Sequence, residues 1–162
     1  MSLDGFIGGP DDDFDWIEMD PEMDFGNFLS QFDAVLMGKG TYLLTQKGPG
    51  AVMPGMTTYV CSRSLAAEEH PEVRVVDDAI ATARELKSKD GKDIWLFGGG
   101  LLFRSLMDAK LVDTLELAVM PIALGSGIPL LAPGSRSPKM ELIEEKPLAG
   151  SAISLTYKIQ YS

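Results

Sequence analysis

Short apolar runs alternate with polar, glycine-rich joints along the first two-thirds of the chain. Ala34-Val35-Leu36-Met37 is an unbroken apolar run that stops at Gly38, the pattern of a strand covered on both faces. Thr57-Thr58-Tyr59-Val60-Cys61 and Val73-Arg74-Val75-Val76 read as strands from their β-branched and aromatic residues. Ile94-Trp95-Leu96-Phe97 reads as another and runs into Gly98-Gly99-Gly100. Helical spacing fills the gaps. Asp24 stands as an N-cap before Phe25, Phe28, Leu29 and Phe32. Residues 40–46 predict a short helix before the loop Gly48-Pro49-Gly50. Asp77 or Asp78 caps a helix carrying Ile80, Ala83 and Leu86. Residues 101–110 predict a helix in which Leu102 with Leu106, and Phe103 with Met107, form pairs four apart.

Further on, the period becomes two. Leu115, Leu117 and Val119 alternate with Glu116, Ala118 and Met120, and Ile153, Leu155, Tyr157, Ile159 and Tyr161 alternate with Ala152, Ser154, Thr156, Lys158 and Gln160. Residues 140–146 predict a strand before Pro147, and 148–150 the turn into the last one. Strands alternating with helices early, and following one another late, predict an α/β fold whose sheet is parallel in its centre with an antiparallel C-terminal edge. Ligands in such folds bind beyond the carboxyl ends of the strands, which directs attention to 38–42, 61–64 and 98–101. Repeats, low-complexity segments and linkers are absent, so residues 1–162 are expected to form a single domain.

Composition narrows the class. Apolar residues make up 45% and charged residues 23%, an ordinary globular balance. There is no apolar run of transmembrane length and no basic-then-apolar leader, and the one cysteine, Cys61, has no internal disulfide partner. A cytoplasmic protein without a membrane partner is expected. The net charge of −10 argues against nucleic acid as a partner. That charge is uneven: residues 1–38 hold ten acidic residues and no Lys or Arg, and the rest balances 14 acids against 14 bases. An anionic cofactor is better suited to the second region.

Three strand ends carry phosphate-compatible groups. Glycines at 98–100, between a strand and a helix, allow close backbone approach and lead into free N–H groups at the helix start. Neither a Walker loop nor the GxGxxG fingerprint is present: no Lys-Ser/Thr pair follows, and Phe103 occupies the third glycine position. Gly38, Lys39 and Thr41 offer a bare backbone, a point charge and a hydroxyl. Arg63, between Ser62 and Ser64, suits a phosphomonoester. For each of these segments the alternative is an ordinary polar strand end.

Ser2-Leu3-Asp4-Gly5-Phe6-Ile7, the segment 35–42, Ser62-Arg63-Ser64, Leu96-Phe97-Gly98-Gly99-Gly100 and the segment 121–131 occur in an order that resembles the dihydrofolate-reductase-like superfamily. Within it the chain looks most like the C-terminal reductase domain of the bifunctional deaminase-reductase of bacterial riboflavin biosynthesis. The resemblance covers nearly the whole chain. It implies a three-layer α/β sandwich with a mixed, mostly parallel central sheet and antiparallel C-terminal strands, an NADPH-dependent oxidoreductase, and a homodimer. It also implies that Gly38, Lys39 and Thr41 meet the cofactor phosphates, that Ser62, Arg63 and Ser64 lie near the 2′-phosphate, and that Gly98, Gly99, Gly100 and Leu101 cradle the pyrophosphate. Asp4 and the loop to Trp16 would lie on the nicotinamide and substrate side. The family's first strand normally precedes the Ser-Leu-Asp-Gly segment, where only Met1 stands here.

The expected reaction is hydride transfer from NADPH to a C=O or C=N bond of a small heterocyclic or sugar-derived substrate, as in 5-amino-6-(5-phosphoribosylamino)uracil reductase. Asp4, Asp24 and Tyr42 are the candidate proton sources or substrate contacts. Trp16 is a stacking ring for substrate or an anchor on the core. The alternatives are a dihydrofolate reductase, which lacks support because the Ala-x-Pro-Trp loop is missing, and a non-catalytic dimeric nucleotide-binding module. No metal is expected. Asp11, Asp13, Asp15 and Glu22 match part of a calcium-loop spacing, but Trp16 stands where that loop requires glycine. His70, the one histidine, precedes Pro71 and reads as a surface-loop residue.

Overall fold

A computed structural model describes residues 1–18, 20–47, 53–134 and 137–161, apart from the side chain of Asp12. The loop expected at 48–50 lies outside the described residues. In chain order the elements are β1 (Phe6–Gly8), α1 (Phe25–Leu29), β2 (Phe32–Gly38), α2 (Lys39–Thr45), β3 (Thr57–Cys61), β4 (Arg74–Val76), α3 (Ala79–Lys87), β5 (Asp93–Gly98), α4 (Gly100–Asp108), β6 (Thr114–Val119), β7 (Ile128–Pro129), β8 (Lys139–Pro147) and β9 (Ile153–Gln160). Single-turn 3-10 helices at Pro10–Asp12, Ala67–Glu69 and Ala149–Ser151 mark the turns. They group into two compact units, Met1–Met23 with Val112–Ser162, and Asp24–Leu111.

The Asp24–Leu111 unit is built on a parallel sheet of order β4-β3-β2-β5. Its core strand is β2, in which Ala34, Val35, Leu36 and Met37 are all buried, as a strand apolar on both faces requires. Val35, Leu36 and Met37 each contribute roughly 1.5–3 kcal/mol when taken out of water. Val35 and Met37 join Val60, Val73 and Tyr42 in one cluster, with Trp95 and Phe97 packed against it. On α4, Leu102, Phe103, Leu106 and Met107 are buried, the two pairs expected four residues apart. Arg104 is also buried on α4, and its guanidinium meets Asp108 through two hydrogen bonds of 3.0 and 2.8 Å. Asp24 caps α1 by accepting from the Asn27 N–H at 2.9 Å, and Asp78, rather than Asp77, caps α3 through the Ala81 N–H. The helical spacing through Phe32 overran: α1 ends at Leu29, and Phe32 opens β2. Phe32 stacks on Trp95 at 5.8 Å, and both touch Phe28 edge-on, so ring packing across the sheet overrides local spacing.

The other unit holds an antiparallel sheet of order β6-β9-β8 and a two-stranded pair of β1 with β7. The alternation expected for β6 and β9 is matched by a full ladder from Thr114 opposite Lys158 to Val119 opposite Ile153. The β1–β7 pair escaped the sequence reading because two or three residues hold too little periodicity to register. It depends on Gly127, whose φ of 148° is a glycine conformation and where a Cβ would overlap the Gly8 carbonyl. Asp4 secures the turn before β1. Its carboxylate accepts from the Gly125 N–H at 2.7 Å, the Leu124 N–H at 3.1 Å and the Ser2 hydroxyl at 2.7 Å.

Two tests follow from this packing. Met107→Ala should lower unfolding free energy by about 2–5 kcal/mol in urea titration, because a fully buried side chain leaves a cavity. Leu101→Ala, at 77% exposed on the same helix, should stay within about 0.5 kcal/mol of wild type. The Asp4 clasp should show in pH dependence. The Gly125 N–H, then the Ser2 hydroxyl and the Leu124 N–H, hold its carboxyl down from 3.8 to about 2. A depressed carboxyl stabilises the fold fully above its unfolded value and ceases to do so as pH falls through the folded one. The difference in Tm between wild type and Asp4→Asn should therefore be constant near neutrality and shrink between about pH 4 and pH 2. A difference that stays constant down to pH 2 would show that Asp4 is not held as a carboxylate.

Candidate functional site

The lateral order β4-β3-β2-β5 reverses direction at β2: the chain steps out to β3 and β4, then returns to β5 on the other side. Such a reversal opens a crevice at the carboxyl ends of the strands on either side of it, β2 and β5. Strand register brings the expected segments to that edge. Gly38 pairs with Cys61 at the end of β3, and Met37 pairs with Gly98 at the end of β5. The starts of segments 38–42, 61–64 and 98–101 are thus side by side, although they come from three separate parts of the chain.

Their chemistry is complementary. Lys39, at the start of α2, donates from Nζ to the Ser64 hydroxyl at 3.0 Å. The Ser62 hydroxyl accepts from the Ser64 and Leu65 N–H groups at 3.1 and 3.0 Å, which folds the turn that presents Arg63 to solvent. Among the described residues Arg63 has no ion pair, so its guanidinium is uncommitted. Thr41 lies half-buried in the first turn of α2. Gly98 has a φ of 125°, a Cβ on it would point into open space, and the Gly98–Gly99 peptide is cis. Gly99 caps α4, Gly100 is buried, and Leu101 projects outward. The first N–H groups of a helix lack partners within it and favour an anion. A guanidinium, an ammonium, hydroxyls and side-chain-free backbone at one sheet edge fit the phosphates of a dinucleotide. Beside them is an open pocket of about 480 Å³, lined by Ser62, Arg63 and Leu65 on one side and Val75, Val76, Asp77, Asp78, Ala81, Thr82 and Glu85 on the other.

The candidate proton sources differ in character from this cluster. Asp4 belongs to the first unit and is held at about 2, so at neutral pH it accepts hydrogen bonds and has no proton to give. Tyr42 is fully buried, and its hydroxyl donates to Glu72 at 2.6 Å with His70 Nδ1 at 2.7 Å. Burial, then Glu72, pushes its hydroxyl up to about 12, which makes it a poorer acid than free tyrosine. Its place is in the core and not at the sheet edge. Since its one proton points to Glu72, the contact with His70 requires a proton on Nδ1. The histidine expected in a surface loop is thus tied to α2. Asp24 is exposed, with one backbone contact as cap. Trp16, in the first unit, is half-buried and donates from Nε1 to the Asp13 carbonyl at 3.1 Å. Cys61 is half-buried, and burial pushes its thiol up to about 11, which suppresses the thiolate.

Sequence reasoning missed Asp77 and Glu85 as pocket residues, and the Tyr42–His70–Glu72 link. The position of Asp77 directly after β4 was a usable signal. Glu85, two turns into α3, offered none. Among the described residues no three His, Cys, Asp or Glu side chains are grouped to hold a metal ion, and no helix is long and apolar enough to cross a membrane.

Two Bacillus subtilis (strain 168) proteins, both named only as uncharacterized, are similar over 97% of this chain. YyaP is 29% identical over 169 residues and 90% of its own length, and YwjB is 33% identical over 165 residues and 92% of its length. The crystal structure of a putative riboflavin biosynthesis protein from Shewanella sp. PV-4 superposes with a TM-score of 0.84 at 21% identity, covering 99% of this chain and 96% of that one. It shares the α/β fold with parallel central strands and antiparallel C-terminal strands. The model of the RibD C-terminal domain matches residues 1–151. The chain therefore belongs to the RibD C-terminal domain family, whose members have the dihydrofolate-reductase-like fold.

Proposed function

We propose that this protein is an NADPH-dependent reductase acting on a C=O or C=N bond of a small heterocyclic or sugar-derived compound, a reaction of the 5-amino-6-(5-phosphoribosylamino)uracil reductase type. The observation that carries the reading is the convergence of three phosphate-compatible strand ends at the point where strand order reverses. Lys39, Ser64 and Arg63 would hold phosphate oxygens, and Gly98, Gly99 and Gly100 would let the pyrophosphate approach the start of α4. Gly38 leaves the end of β2 clear, with Thr41 as a hydroxyl contact. The exposed Leu101 supplies an apolar surface beside them. When bound, the dinucleotide supplies the hydride, which is why the chain needs no metal cluster or nucleophilic triad of its own. Of the candidate proton sources, Asp24 is retained. Asp4 is too acidic and Tyr42 too deeply committed, so Asp4 acts as a structural anchor and Tyr42 as a packing residue.

The test is a fluorescence and thermal-shift titration with NADPH and NADH. Both should raise the Tm. Arg63→Ala should weaken NADPH binding about 10- to 150-fold, the equivalent of one charge-assisted hydrogen bond, and leave NADH nearly unchanged. Equal weakening of both would remove Arg63 from the 2′-phosphate. No response to either would overturn the reductase reading.

A further inference from the structure

The pocket beside Arg63 has an unusual charge balance for a phosphate seat. One guanidinium shares it with the carboxylates of Asp77, Asp78 and Glu85. Two of those carboxylates have duties elsewhere: Asp78 caps α3 through the Ala81 N–H at 2.9 Å, and Glu85 pairs with Lys89. Among the described residues Asp77 has no such duty. It follows β4 directly, where the Ser62 N–H bonds to the Val76 carbonyl at 2.8 Å, so the backbone beside the Ser62–Arg63 turn also carries Asp77. A phosphomonoester near neutral pH carries close to two negative charges, which these carboxylates repel and Arg63 attracts. A ribose bearing only hydroxyls meets no such repulsion, and a carboxylate can accept a hydrogen bond from it.

We propose that Asp77 and Glu85 are specificity-determining residues. Their carboxylates oppose the 2′-phosphate that Arg63 attracts, so that the two effects nearly offset and the protein accepts NADH almost as readily as NADPH. The inference rests on the dinucleotide reading above and deepens it. It predicts a pocket able to use either cofactor, with the balance set by the charge of its acidic wall rather than by Arg63 alone. Asp78 is left out of the assignment because its carboxylate is held by the backbone of the helix it caps, whereas the Glu85–Lys89 pair is exposed on both sides and holds its carboxylate only weakly.

The experiment is a direct binding titration of NADPH and NADH, at fixed ionic strength, on wild type, Asp77→Asn, Glu85→Gln and the double variant, with thermal unfolding as a check that each folds. Wild type should favour NADPH by less than about 10-fold, and the double variant should bind NADPH about 3- to 10-fold more tightly with NADH unchanged or weaker. Asp77→Lys should widen the preference further. Dinucleotide binding with an NADPH-to-NADH ratio that does not move in the double variant or in Asp77→Lys would overturn this assignment and leave the reductase reading intact. Failure of every folded variant to bind either dinucleotide would instead overturn that reading and this inference with it.

Discussion

Strand β2 is enclosed on both faces and paired along both edges, by β3 on one side and β5 on the other. A strand so placed can expose its chemistry only at an end, because every lateral hydrogen bond and every side chain in its middle is committed to the core. The core cluster of the Asp24–Leu111 unit, the packing of α2 and α4, and the position of the candidate site all follow from that enclosure. Gly38 is where β2 leaves the core, and the ends of its two neighbours lie beside it.

Charge placement works at a finer level. The acidic residues of positions 1–38 leave the remaining sequence balanced, and in that balanced region Lys39 and Arg63 come to the same sheet edge. Their cationic character is local, and Asp77 and Glu85 limit it. The same short-range logic accounts for Asp4, whose exposed carboxylate is more acidic than usual because two backbone N–H groups and a hydroxyl point at it. A carboxylate so held organises a turn, and it does so by giving up any role that needs it protonated at neutral pH.

Several chemically suggestive residues found structural work. Tyr42, read as a possible donor, links α2 to the segment before β4 through His70 and Glu72. Phe32, read as the last residue of a helix face, opens a strand and stacks on Trp95. In both cases the partner that fixes the residue's role lies far away in sequence. Asp24 and Asp78 were legible as caps because a cap bonds to backbone three residues on.

The sequence by itself determined most of the strands and helices, though not β1, β7 or the boundary at Phe32, that the early strands are parallel and the late ones antiparallel, and which three strand ends carry phosphate-compatible groups. These are readable because periods of two and 3.6, and glycine punctuation, are properties of near neighbours. Only the tertiary structure decided the lateral order β4-β3-β2-β5, which sets those ends side by side, and the contacts that assign roles within them. Lys39 and Ser64 are 25 positions apart, and Asp4 and Gly125 are 121 apart. No local pattern encodes such pairings, because they arise from how the chain closes on its core, and closure depends on all the packed residues together.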